Sequence, residues 1–198
     1  MLLWTIQSIQ AWNRLDSSGI LRAGTRFVDQ HFLSAYRWMA NRVHERLGDR
    51  PSRTSLPVWA WYQWEGHRKC QPDLRATGHL PKGEKGVRIE FEVDASHVVL
   101  SDFELWHYVL NYWYLPKSVR EGEAFDAELE KSRLSFFKSK PLPNKKYHQR
   151  IEKSWERIFD LEWKKKGLAS SKSEKSIQAC LWEIRIENVK AVKEFISR

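Results

Sequence analysis

Long hydrophobic runs are absent from this chain. No stretch of its 198 residues reaches the roughly 18 consecutive apolar positions that a membrane-spanning helix requires, so no membrane partner is expected. The opening residues, MLLWTIQSIQAW, lack a basic n-region and a long apolar h-region, so no signal peptide is read. Cysteine is scarce. Cys70 and Cys180 are far apart and belong to no C-x-x-C, which argues against a disulfide framework and points to a reduced, intracellular, cytoplasmic setting. His67, Cys70, His79 and His97 are spaced as in no common zinc site, so no metal is expected. No G-x-G-x-x-G, P-loop or G-x-S-x-G occurs, which leaves Rossmann, phosphate-loop NTPase and serine-hydrolase readings without support.

What is abundant is tryptophan and positive charge. The chain has 11 Trp, a net charge of +9 and a pI near 9.6. Both concentrate around Val58 to Arg75, VWAWYQWEGHRKCQPDLR, where three tryptophans and a tyrosine fall within six residues and a basic, proline-broken turn follows. Flat π-faces beside fixed cations suit stacking on nucleic-acid bases while neutralising phosphates. A buried strand followed by a solvated turn is the competing account. Strand alternation puts Trp59, Trp61 and Gln63 on one face and Ala60, Tyr62 and Trp64 on the other.

The remaining pattern is of mixed type. Leu2 to Gln7 reads as a strand, and Ser8 N-caps a helix carrying Ile9, Trp12 and Leu15 that Gly19 stops. From Asp29, Phe32, Tyr36, Met39, Val43 and Leu47 form one helical stripe closed by Gly48. Val58 to Trp64 is a strand, and Glu65 to Lys85 an irregular loop. Val87 to Asp94 alternates cleanly as a half-buried strand, and Val98 to Leu100 is a short one. Ser101 and Glu104 form a capping box opening a helix that presents Phe103, Trp106, Leu110 and Trp113 inward and ends at Pro116. Glu121 to Glu130 and Tyr147 to Trp163 read as helices, and Lys164 to Lys175 as a polar linker. Ile177 to Ile186 is a last strand and Asn188 to Ile196 a closing helix. The length suits a single domain over 1–198. The expected class is α+β, a mixed or mostly antiparallel sheet flanked by helices.

Over nearly its full length the chain resembles a bacterial domain family of unknown function, through LWTIQ (Leu3 to Gln7), YRWM (Tyr36 to Met39), WAWYQW (Trp59 to Trp64), SDFELWHYVLNYWYLP (Ser101 to Pro116) and IQACLWEI (Ile177 to Ile184). It also resembles, more weakly, ADP-ribosyltransferase toxins that modify DNA bases. Leu3 to Gly19 looks like their opening strand, helix and glycine, and Ser101–Asp102 like their T-D or S-D pair. Gln178 and Ala179 look like the start of their Q-A-E strand, although Cys180 stands where the catalytic glutamate belongs and Glu183 lies three residues on. This resemblance implies an ADP-ribosyltransferase-like fold and N-glycosidic chemistry.

The function expected from these readings is cleavage of a base–sugar N-glycosidic bond in DNA: excision of a flipped base, modified or unmodified, in defence or repair. Such a reaction passes through an oxocarbenium-like state that a carboxylate stabilises. Asp102, Asp73 and Glu183 are the candidate carboxylates. Asp102 has the competing role of an acid at a helix start, Asp73 that of a turn former. Thr5, Gln7 and Gln178 are candidates for reading a base edge. Trp61, Tyr62 and Trp64 are candidates for stacking, and His107 for acid–base work. Arg68, Lys69 and Arg75 are the candidate backbone clamp. No cofactor is expected for hydrolysis. NAD enters if the chain is a nucleic-acid ADP-ribosyltransferase, and a non-catalytic nucleic-acid-binding module is the third possibility.

Overall fold

The computed structural model describes residues 1–198. In chain order they form β1 (Leu2–Ser8), α1 (Ile9–Ser18), β2 (Ile20–Leu21), β3 (Ala23–Gly24), α2 (Leu33–Leu47), β4 (Ser55–Leu56), β5 (Val58–Gln63), β6 (Lys85–Glu92), β7 (Val99–Asp102), α3 (Phe103–Leu110), α4 (Val119–Lys131), α5 (Lys145–Trp155), β8 (Ile177–Leu181), β9 (Ile184–Arg185) and β10 (Val189–Ile196). The class is α+β, as the patterning implies. Six strands form one sheet in the order β10-β6-β1-β5-β8-β7, and the pairings from β10 through β8 are antiparallel. No helix is long and apolar enough to cross a membrane.

Two compact units divide the chain: residues 1–100 with 176–198, and residues 101–175. In the first, one face of the sheet builds the core. Leu3, Val58, Ala60, Val87, Ile89, Phe91, Ala179 and Leu181 meet Ala11 and Leu15 of α1. Each large side chain buried there contributes about 1.5–3 kcal/mol. Helix α1 follows directly from β1 because Ser8 accepts a hydrogen bond from the Ala11 amide. It stops because Gly19, at φ 76°, adopts the left-handed conformation and returns its N–H to Leu15. Gly86 answers a different need: a Cβ there would lie 2.5 Å from Leu80 and 2.8 Å from the Phe195 ring.

Four expectations change. Val189–Ile196 is a strand, not a helix. It lies antiparallel along the edge of β6, with Phe195 opposite Gly86. A free edge of backbone donors and acceptors outweighs local helix preference, and exposed lysines along the outer strand suit an edge position. The strand expected over Ile177 to Ile186 breaks at Trp182 and Glu183. The register of β5 shifts between Trp61 and Gln63, which pair with Gln178 and Ile177 respectively. That bulge reverses the alternation, so Gln63 turns inward, buried, while Trp64 joins Trp61, the two rings meeting edge-to-face at 4.5 Å. In α2 the buried set is Leu33, Ala35, Trp38, Met39, Ala40 and Val43, displaced from the expected stripe, with Phe32, Tyr36 and Leu47 only half-buried.

The second unit packs aromatic rings between helices. Tyr114 stacks on Phe125 at 4.0 Å, and Tyr112 stacks on His148 at 5.7 Å. Ile151, Trp155 and Ile158 are buried with them. The cap of α3 is Asp102, whose Oδ1 accepts from the Leu105 amide at 3.1 Å. Ser101, the expected cap, lies inside β7 and is buried. Leu105, Trp106 and Val109 face inward on α3, while Trp113 is exposed. The polar stretch up to Lys175 is an ordered set of turns, with Lys165 bridged to Ala169 and Lys175 buried.

Candidate active-site cleft

The break after β8 lines a cleft of about 930 Å³ in the first unit. Trp182 turns inward and donates its indole N–H to the Gly48 carbonyl at 2.8 Å, and this fixes the chain so that Glu183 projects into the cleft. Arg22 donates Nε and Nη2 to Glu183 Oε2 at 2.9 and 2.6 Å. Arg185 meets Oε1 at 2.6 Å. Burial pushes the Glu183 carboxyl up, but hydrogen bonds from Arg22 and Arg185, and their charge, outweigh it and hold the group below the usual carboxylate range. Glu183 is therefore ionised at neutral pH. Its side chain is 20% exposed, while those of Arg22 and Arg185 are 51% and 48% exposed. Asp94, His97, Asn188 and Lys190 complete the rim.

The other candidate carboxylates lie in different surroundings. Asp102 is 2% exposed. One oxygen caps α3 and the other accepts from Lys175 Nζ at 2.5 Å, with that ammonium equally enclosed. Both oxygens are committed to structure. Asp73 sits on the 65–85 loop, chelated by Arg75 through Nε and Nη2. Hydrogen bonds from the Arg75 side chain and amide hold its carboxyl far below the usual range.

The base-reading candidates do not share a surface. Thr5 is buried and donates to the Trp59 carbonyl at 2.8 Å, and Gln7 donates to the Thr5 hydroxyl. Gln178 pairs with Trp61, which pairs with Trp4. Side chains of directly opposed residues share a face, so Gln178 and Thr5 point to opposite sides of the sheet. Gln178 is buried, and its Oε1 has no hydrogen-bond partner. Tyr62 packs partly buried against the core, away from Trp61 and Trp64. His107 turns its Nδ1 back to the Phe103 carbonyl of its own helix at 3.1 Å. Lys69 pairs with Glu65 at 2.8 Å and Arg75 with Asp73 at 2.8 Å, while all three cations of that loop's clamp, Arg68 included, are exposed.

A model of the family described as Domain of unknown function (DUF3841) matches residues 2–190. The chain belongs to that family. No curated protein and no solved structure matches it.

Two further features of this DUF3841 chain concern the Gln178–Ala179–Cys180 run. Cys180 is fully buried and paired across the sheet with Trp59, and burial pushes its thiol pKa well up. It is an inert packing residue and supplies no charge. The carboxylate appears instead past the end of the same strand, at Glu183. Sequence reasoning missed Arg22 and Arg185 as its partners. Arg185 lies two residues away and was legible as a neighbour. Arg22 is 161 positions distant, and only the pairing of β2 with β9 brings it there.

Proposed function

We propose that this chain is a cytoplasmic enzyme acting on nucleic acid, with DNA as the expected partner, at a base–sugar N-glycosidic bond, with Glu183 as the working carboxylate. The observation that carries the reading is an ionised glutamate between two half-exposed arginines in a cleft large enough for a nucleotide. The arginines suit two states. Without substrate they neutralise Glu183. A phosphate entering the cleft competes for their guanidiniums and forms charge-assisted bonds of its own. The carboxylate then faces the sugar carbon at which positive charge develops as the base departs. Hydrolysis needs no cofactor: water adds to C1′ and the base leaves with a proton.

NAD-dependent ADP-ribosyl transfer to nucleic acid is the second reading. It breaks the same kind of bond, and the observation favouring it is that Glu183 lies two residues past the end of the strand bearing Gln178 and Ala179.

The test is incubation of the protein with modified and unmodified DNA, followed by alkali. Strand breaks at abasic sites that vanish in Glu183→Gln support hydrolysis. Label passing from NAD to the nucleic acid, and only with the cofactor, supports transfer. Salt-sensitive binding with neither product leaves a binding module and removes the enzymatic reading.

A further inference from the structure

A second cavity, about 410 Å³, shares Arg22 with the first and is lined by Arg14, Ser17, Ser18, Arg22, Arg26 and Phe27, among others, with no carboxylate. Phe27 is an exposed ring, 51% accessible. Two guanidiniums flank it: Arg26 Cζ at 4.6 Å from the ring centroid and Arg14 Cζ at 5.3 Å. Neither arginine is paired with a carboxylate. Most of the exposed charge around the Glu183 cleft is matched: Lys190 lies 3.4 Å from Glu92 and Arg185 lies 3.8 Å from Glu187. The Phe27 patch is different, since two cations flank one aromatic face with no carboxylate paired to either, and the third arginine of that cavity, Arg22, is the one bound to Glu183. Arg22 belongs to both cavities. Its Nε and Nη2 bind Glu183.

An isolated exposed phenylalanine is ordinary. One held between two unpaired arginines next to a third is not explained by packing. Ile20 and Leu21 also line the cavity, and the patch has what an unpaired nucleotide requires: a ring for the base and guanidiniums for the phosphates on either side. A duplex would present stacked bases that the ring cannot reach. We infer that Arg14, Arg26 and Phe27 hold a nucleotide of single-stranded nucleic acid adjacent to the one whose base enters the Glu183 cleft, with Arg22 contacting the phosphate between them. The inference rests on the nucleic-acid reading above and adds the strand's path and its single-stranded form. The segment responsible is short, Arg14 to Phe27: the end of α1, the Gly19 turn, two short strands and the 3-10 turn Thr25–Phe27 deliver all four side chains locally.

The experiment measures binding of a fluorescein-labelled single-stranded DNA oligonucleotide to the full chain by anisotropy, between about 50 and 200 mM salt. The double variant Arg14→Gln/Arg26→Gln is expected to weaken binding at least tenfold at the low end. It should also flatten the slope of log K against log salt by about 1.4, two phosphate contacts at roughly 0.7 each. Phe27→Ala is expected to weaken binding by about five- to one-hundred-fold, and Phe27→Trp to preserve it. All three side chains are exposed, so unchanged thermal unfolding serves as the folding control. Wild-type affinity and slope in both the arginine and the Phe27→Ala variants overturn the inference, and equal affinity for the matching duplex overturns its single-stranded part. Turnover of Glu183→Gln is read in parallel. If it matches wild type while the patch variants lose binding, the catalytic reading falls and the strand-binding inference stands. If Glu183→Gln loses turnover while the patch variants bind normally, the reverse holds.

Discussion

Asp102 and Glu183 each bind cations at short range, 2.5 Å to Lys175 and 2.6 Å to Arg22, yet their surroundings set them to opposite uses. The Asp102–Lys175 pair is sealed, with side chains 2% and 1% exposed, and Asp102 also caps a helix. Glu183 stands in an open cleft between guanidiniums that are half in water. A sealed pair cannot exchange its cation for a substrate without exposing a bare charge in a low-dielectric interior. An open pair can, because solvent and an incoming phosphate both compensate it. From sequence, Asp102 looked the stronger candidate, since it ends a strand and enters a helix. The same position is where a capping carboxylate belongs, and the structure shows the cap. What separates an acid that works from one that holds the fold is access, and access is set by Lys175, 73 positions away.

The largest expected effect breaks the sealed pair. Lys175→Met or Asp102→Asn should destabilise the chain by about 3–5 kcal/mol, because each leaves a buried charge uncompensated. The combined Asp102→Asn/Lys175→Met variant should recover most of that loss. Urea denaturation of the three variants measures it. A smaller effect on stability, joined to a large one on turnover, is expected at the open site. Glu183→Gln should change stability by less than about 1 kcal/mol and reduce product formation by about 10²–10³-fold.

Acid titration sharpens the contrast further. The Glu183 carboxyl is held below its ordinary value of 4.5, so its contribution to stability is fully present above that pH. The contribution is lost as pH falls from 4.5 through the lower folded value. Wild type and Glu183→Gln should therefore differ above pH 4.5 and converge below the folded value, by under about 1 kcal/mol given its exposure; denaturation midpoints across that window check it. The smallest effect belongs to the surface. Asp73→Asn should leave the thermal midpoint and product formation unchanged, because its pairing with Arg75 is solvent-exposed.

The parts of the fold written in local pattern were legible: the Ser8 cap and Gly19 stop of α1, the alternation of Val87, Ile89 and Phe91 in β6, and the apolar residues of α5. The parts decided by distant partners were not. Val189–Ile196 carries a helix-like spacing but lies beside an open strand edge. The β5 bulge, which separates Tyr62 from Trp61 and Trp64, depends on pairing with β8 more than a hundred residues later. The site divides the same way. Glu183 was visible as a carboxylate near a suggestive strand, with Arg185 as its neighbour in the chain, but its pairing with Arg22 exists only once β2 meets β9. The density of tryptophan around Trp59 to Trp64 pointed to a stacking wall. In the structure Trp59 instead meets Tyr36 of α2 at 5.7 Å and Trp61 meets Trp64, so much of that ring surface serves packing between elements.

The most direct measurement compares base release from DNA by two folded variants, Glu183→Gln and the combined Asp102→Asn/Lys175→Met. If the open carboxylate is the working one, the first variant binds DNA and releases no base, while the second retains activity close to wild type. Release by Glu183→Gln at the wild-type rate, with activity lost in the Asp102→Asn/Lys175→Met variant, would contradict the account.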